Sequence, residues 1–315
     1  MSDLAATLVG MCGRYTQKLT ADDLVAAMSA RDETGGGVRE SYNVAPTSTM
    51  PIVVAQPPGA GGEPAPTGRV LRLATWGLVP SWAKDRTIGA KMINARAETV
   101  ATKPAFRAAF AARRCLVPAT GFYEWFHPGG GSRRGQPFYI YPAGHPAAGG
   151  IFAFAGLYEV WRKGDTPLVT FTILTTGAAE GLAFLHDRSP VILPAAAWDR
   201  WIDPAADPAG LAPLLRPAPG GVLAAHPVDA AVGNVRNKDP HLIDPVDLDP
   251  TVAQELASAG GSTAAAPGLA AGEGGVSGLG ESVATRPAEG AVDLSLFELD
   301  PPGTVAGDRA GRSVR

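Results

Sequence analysis

Apolar positions along this chain cluster in short runs separated by Gly, Pro and polar stretches. PIVVAQ at 51–56, RVLRLATWG at 69–77, CLVPATGFYEWF at 115–126, PFYIYP at 137–142, FAFAGLYEVW at 152–161 and LVTFTILTT at 168–176 are rich in β-branched and aromatic residues, as strands are. Helical patterning is rarer. Thr20 stands as an N-cap before the acids Asp22 and Asp23 and the run LVAAMSA, and the glycines at 35–37 end that segment. Two more helices are predicted at 103–114, with Pro104 near its first turn, and at 195–202 around Trp198 and Trp201. Many strands with few helices predict a single α+β domain on a mainly antiparallel, barrel-like sheet, closing near Pro245. Residues 56–68 and 126–136 read as loop insertions.

Composition changes toward the end. From about Thr251 the sequence is dominated by Ala, Gly, Pro and Ser with no sustained apolar period, so burial there cannot offset the entropy of ordering. The organisation expected is a leader or mis-assigned start at 1–10, a catalytic domain at 11–248 and a disordered tail at 249–315. Without the stretch from Thr251 the chain carries 23 basic and 22 acidic residues, so nucleic-acid binding would need a local arginine patch, not a global field. Cys12 and Cys115 make no disulfide framework, no Cys/His cluster has zinc spacing, and no cofactor motif is present. The first residues lack a basic signal-peptide region and no apolar run approaches a membrane span, so a soluble cytoplasmic, nucleoid-associated monomer is expected.

One cysteine has unusual chemistry available to it. Cys12 directly follows Met11, so a chain started at Met11 and trimmed would present Cys12 as a terminal 1,2-aminothiol. Its amine would have a reference pKa of about 7.7–8.0 and its thiol of about 8.5, leaving a usable fraction of both nucleophiles at neutral pH. A peptide bond on that nitrogen removes the amine. Cys115 follows a predicted helix and opens an apolar strand, the setting of a buried, inert thiol.

Six motifs place polar residues inside otherwise buried-looking text: MCGRYT at 11–16, YNVAPT at 42–47, WGLVPSWAKD through INARAET at 76–99, RRCLVPATGFYEW at 113–125, LHDRSPVIL at 185–193 and VGNVRN at 232–237. In this order they resemble the SOS response-associated peptidase (SRAP) family, whose members process abasic sites and crosslink to damaged single-stranded DNA. The resemblance implies Cys12 as nucleophile. Its amine forms a Schiff base with the sugar aldehyde, and its thiol then closes a thiazolidine ring. It further implies that Asn94 orients the amine or the sugar, that Glu124 shuttles the amine proton, and that His186 opens the sugar ring as general acid/base. A Glu flanked by Tyr123 and Trp125 on a half-buried strand is expected to have a raised pKa, although a solvent-facing position fits the pattern equally.

For the DNA, Arg14, Arg96, Arg107 and Arg188 sit in or beside these motifs as phosphate contacts, and Trp76, Trp82 and Trp125 offer faces for bases or else belong to the core. Asn43, Pro46 and Thr176 are implied by the resemblance to line the strand path. Associated AP lyase and autopeptidase activities fit the same residues. An N-terminal-nucleophile amidohydrolase, a thiol peptidase using Cys12, His186 and Glu124, and a non-enzymatic single-strand binder remain as alternatives. In the tail, 293–297 (DLSLF) is similar to the pentapeptide that docks on the bacterial sliding clamp through Leu294, Leu296 and Phe297, or is an apolar pentamer that packs on its own domain.

Overall fold

Thr20 accepts a hydrogen bond from the Asp23 amide while the Asp23 carboxylate accepts from the Thr20 amide, so the first helix opens on a capping box. This is a computed structural model in which residues 13–56, 68–127, 135–145, 150–163 and 166–260 are described. Along the chain come β1 (Tyr15–Gln17), α1 (Ala21–Met28), β2 (Arg31–Asp32), β3 (Ser41–Val44), β4 (Thr49–Ala55), β5 (Arg69–Trp76), β6 (Asn94–Arg96), α2 (Arg107–Ala112) and β7 (Arg114–Ala119). They are followed by β8 (Gly121–Phe126), β9 (Gln136–Pro142), β10 (Phe152–Trp161), β11 (Leu168–Gly177), β12 (Arg188–Pro190), β13 (Ile192–Leu193), α3 (Trp198–Ile202), β14 (Leu223–Pro227) and α4 (Pro250–Ser258).

Five strands close on themselves. β11, β10, β7, β4 and β5 are antiparallel neighbours in that order, and β5 returns to β11 in parallel register, with Thr75 beside Thr170 and Trp76 beside Phe171. The predicted barrel-like, mainly antiparallel α+β fold is therefore present. Its wall is buried on both sides, which explains why the strands read as continuous apolar runs. Ile52, Val54, Cys115, Val117, Phe152, Phe154 and Phe171 share one core, while the alternate positions Val53, Leu116, Ala153, Ala155 and Leu157 pack with α1, α2 and α3 in another.

A second sheet, in the order β14, β9, β8, β1, β3, adds Tyr15, Phe122, Phe126, Phe138 and Ile140 to the first of these cores. Its other face carries Tyr123, Tyr139 and Tyr141 against Val228, Val232, Leu242 and Ile243. The predicted run 115–126 thus divides at Thr120 into β7 and β8, which belong to different sheets. Thr120 is fully enclosed there, its hydroxyl facing that of Thr16 at 2.9 Å and donating to the Thr16 carbonyl at 3.1 Å.

Two sequence expectations need correction. The helix predicted at 103–114 is helical only over Arg107–Ala112, because Arg114 already belongs to β7. The tail does not begin at 249. Asp249 caps α4 by accepting from the Thr251 amide, Pro250 supplies the first turn, and Leu256, 1% exposed, joins the core with Leu248 and Val252 packed beside it. Three apolar anchors suffice to dock one short helix on an existing core, where the bulk composition of the segment gave no such sign.

Candidate active site

Strand alternation decides where Glu124 points. On β8 it shares a face with Phe122 and Phe126, both core residues, while Tyr123 and Trp125 take the opposite face. Its cross-strand partner is Phe138. Glu124 is consequently 6% exposed, and among the described residues its Oε1 has no hydrogen-bond partner. Burial, helped by the negative charge of Asp187, pushes the carboxyl up to about 8. This fits the raised pKa expected from the sequence, and the inward orientation settles the alternative of a solvent-facing position.

The segment carrying His186 reaches the same place through aromatic packing. Phe138 meets Phe184 edge-on at 6.1 Å, and Phe184 lies two residues before His186. His186 Nδ1 accepts from the Arg188 amide at 2.9 Å and lies 3.0 Å from Asp187 Oδ1. One nitrogen cannot accept from Arg188 and donate to Asp187 at once. The neutral ring therefore accepts at Nδ1 and carries its proton on Nε2, while the imidazolium form has Asp187 as its counter-charge. Asp187 was not singled out in the sequence, and its place next to a candidate catalytic histidine was the only signal.

Asn94 opens β6 beside Ile173 of β11, and Arg96, exposed, lies beside Thr175. Arg188 ties these strands together. It holds Glu98 through two bonds of 2.6 and 3.0 Å and donates to the Thr175 carbonyl at 2.7 Å. From the other side, Tyr15 pairs with Phe122 and the Tyr123 amide donates to the Arg14 carbonyl at 3.0 Å. Continued by one residue, that antiparallel register sets Gly13 level with Glu124. Cys12 lies outside the described residues and is covalently next to Gly13.

Several residues expected to touch DNA are placed elsewhere. Trp76 is fully buried, its indole N–H donating to the Ile93 carbonyl at 2.9 Å and its ring packed between Tyr15 and Phe171, so it offers no face to a base. Asn43 is also fully buried and bonds within the protein. Thr176 is 5% exposed and donates to the Leu215 carbonyl. Arg107 is exposed on α2, in the helical layer over β7 and β10 and not among this group. Trp125 is half-buried against the Tyr123 core, and Pro46 is half-buried beside Thr47.

Trp82, by contrast, is 55% exposed on a loop that Trp161 and Lys163 hold by bonds to the carbonyls of Ala83 and Trp82. Trp161, Trp198 and Trp201 are core residues, as is Cys115, whose thiol pKa burial drives up. The structural importance of Arg114 was missed in the sequence. Its guanidinium is buried and donates to the carbonyls of Phe110, Ala111, Trp201 and Asp203, joining the ends of α2 and α3.

Known proteins resemble this chain over most of its length. The abasic site processing protein YoqW of Bacillus subtilis is 37% identical over 238 residues, covering 74% of this chain and 99% of the relative. The abasic site processing protein HMCES of Gallus gallus is 35% identical over 270 residues, covering 76% of this chain and 79% of the relative. A crystal structure of a protein from Bacteroides thetaiotaomicron superposes with a TM-score of 0.64 at 26% identity, covering 75% of this chain and 100% of the other. The model of the family described as SOS response associated peptidase (SRAP) matches residues 11–235. Over that span, which takes in β1, the barrel and the Glu124 and His186 segments, the chain belongs to the SOS response associated peptidase family.

Proposed function

We propose that this protein processes abasic sites in single-stranded DNA by capturing the sugar aldehyde on Cys12. The observation that carries the reading is the Glu124 carboxyl, isolated in an apolar face with its pKa near 8 and set level with Gly13. The name of its YoqW and HMCES relatives, abasic site processing protein, supports the substrate. In the reaction the Cys12 amine adds to the aldehyde carbon, and loss of water from the carbinolamine gives the imine. The thiolate then adds to the imine carbon while the nitrogen regains a proton, so aldehyde and aminothiol yield a thiazolidine plus one water. A carboxyl titrating near the working pH accepts the ammonium proton in one form and donates to the departing hydroxyl in the other. His186 opens the closed sugar by donating the Nε2 proton of its imidazolium form to the ring oxygen as the C1–O bond breaks, while the C1 hydroxyl proton passes to water and leaves the aldehyde. Collapse of the imine by β-elimination would instead cut the strand, giving lyase activity.

For the strand itself, Trp82 supplies an exposed stacking face, and Arg96 and Arg188 supply phosphate contacts, the latter on exchange of Glu98 for a phosphate. The peptide 293–297, which lies outside the described residues, tethers the domain to the sliding clamp through Leu294, Leu296 and Phe297. Calorimetric titration with purified clamp tests the tether, and binding unaffected by Leu296→Ala with Phe297→Ala removes it.

The chemistry requires an unblocked nitrogen on Cys12, and the central experiment varies that feature. Protein started at Met11 and trimmed to Cys12, and the same protein acetylated on its amino end, are incubated with an abasic single-stranded oligonucleotide. A denaturation-resistant adduct, heavier than the protein by the oligonucleotide less one water, is expected only from the free form. An adduct that survives acetylation or Cys12→Ala overturns the proposal. Cleavage of added peptides or glutamine without any adduct would favour a thiol hydrolase.

A further inference from the structure

Asn43 is fully buried and uses both atoms of its side-chain amide inside the protein. Its Nδ2 donates to the carbonyls of Val232 at 3.0 Å, Asn234 at 3.2 Å and Asn237 at 3.0 Å, and its Oδ1 accepts from Arg14 at 2.9 Å. Arg14 in turn donates to the carbonyls of Val232 at 2.8 Å and Gly233 at 3.3 Å. The Lys238 ammonium closes the group by donating to the Asn43 carbonyl. The loop is also braced from within, since Asn234 Oδ1 accepts from the Arg236 amide and Asn237 donates to the Ala231 carbonyl. Loop 231–238 is thereby fastened to Asn43 of β3 and to Arg14, the residue just before β1.

Arg14 is the residue at which this fastening meets the site. Its backbone carbonyl takes the ladder bond from Tyr123, one step from Glu124, and its side chain is held by Asn43 and the loop. Both ends of Arg14 are therefore anchored, one to β8 and one to the loop, and Gly13 leaves from between these anchors. A fully buried group with all its polar atoms used inside the protein cannot contact a strand of DNA, yet it can set the direction in which the chain leaves β1.

We propose that Asn43 is a positioning residue for the capture reaction: through Arg14 and the 231–238 loop it fixes where Gly13 stands relative to the Glu124 carboxyl. This rests on the covalent-capture reading above and assigns to Asn43 a role different from DNA contact. Misplacing a nucleophile by about 1 Å is enough to slow a reaction roughly a hundredfold. The same misplacement removes the amine from the reach of Glu124, so the rate loses the ionisation of that carboxyl from its pH profile.

The experiment is single-turnover crosslinking at saturating abasic single-stranded DNA across pH 6–10, with DNA affinity measured separately by anisotropy at several salt concentrations. Variants are Asn43→Ala and Asn43→Asp, the latter keeping the acceptor for Arg14 and losing the three donations. Arg14→Lys is included in case the Asn43 variants fail to fold, because it keeps the charge and loses the fork. The expected result is a rate about tenfold to a hundredfold lower with the Glu124 limb of the profile lost and affinity and its salt dependence unchanged, the loss in Asn43→Asp being at least that of Asn43→Ala because its second carboxylate oxygen faces the three carbonyls without a donor. An unchanged rate and profile in folded Asn43→Ala or in Arg14→Lys overturns the inference. So does a loss confined to affinity, which would make Asn43 or Arg14 a DNA contact. No adduct from the unaltered protein would instead defeat the covalent-capture reading itself, so the two failures are distinguishable.

Discussion

The Tyr123 amide donates to the Arg14 carbonyl at 3.0 Å, and that single ladder bond sets the first described residue, Gly13, level with the buried Glu124. A protonation-ready carboxyl and the residue leading into β1 are thus adjacent because of strand register, although over a hundred residues separate them in sequence.

Glu124 should cost the protein stability in proportion to its ionisation. Its pKa rises from 4.5 in the unfolded reference to about 8. Between these values the native state keeps a proton that the unfolded chain has lost, so stability falls as pH rises through the window and levels off above it. Glu124→Gln is expected to match the parent in melting temperature near pH 5 and to exceed it at pH 9 by an amount equivalent to a few kcal/mol, while crosslinking falls at least about a hundredfold. Thermal melts at the two pH values check this, and a difference independent of pH would refute the assignment of the shift.

The two tryptophans of WGLVPSW should separate cleanly. Trp82→Ala is expected to weaken single-stranded DNA binding by about 1–3 kcal/mol without lowering the melting temperature, since its ring is exposed. Trp76→Ala should destabilise the fold by about 3–5 kcal/mol, since its ring is fully buried. Anisotropy and denaturant titration on both variants distinguish the cases.

Arg114→Met should lower stability by about 3–5 kcal/mol, because it strips the donors from carbonyls at the ends of both α2 and α3. Urea unfolding measures it, and a loss below about 1 kcal/mol would mean that water replaces the guanidinium without penalty.

The domain should end after α4. Truncation after Gly260 is expected to leave the melting temperature unchanged, whereas truncation after Asp249, or Leu256→Ala at about 2–4 kcal/mol, should lower it. Equal melting temperatures for the two truncations would restore the boundary at 249.

Local chemistry was legible directly. The capping box at Thr20, the β-rich runs and the apolar setting of Cys115 each depend on near neighbours or on a strand's own alternation, so the order of residues determines them, whereas which way Glu124 faces, and with it the raised pKa, was left open until Phe138 and Asp187 were brought beside it. Only tertiary structure decided which aromatic ring is a surface and which is a core, because Trp76 and Trp82 sit in one motif and differ solely in what packs on them. It alone turned Asn43 inward, where the carbonyls of a loop some 190 residues away take up its donors. It alone bound residues 250–258 to the domain, since a helix with two apolar anchors of its own, Val252 and Leu256, and Leu248 just before it becomes stable only when a core exists to receive it.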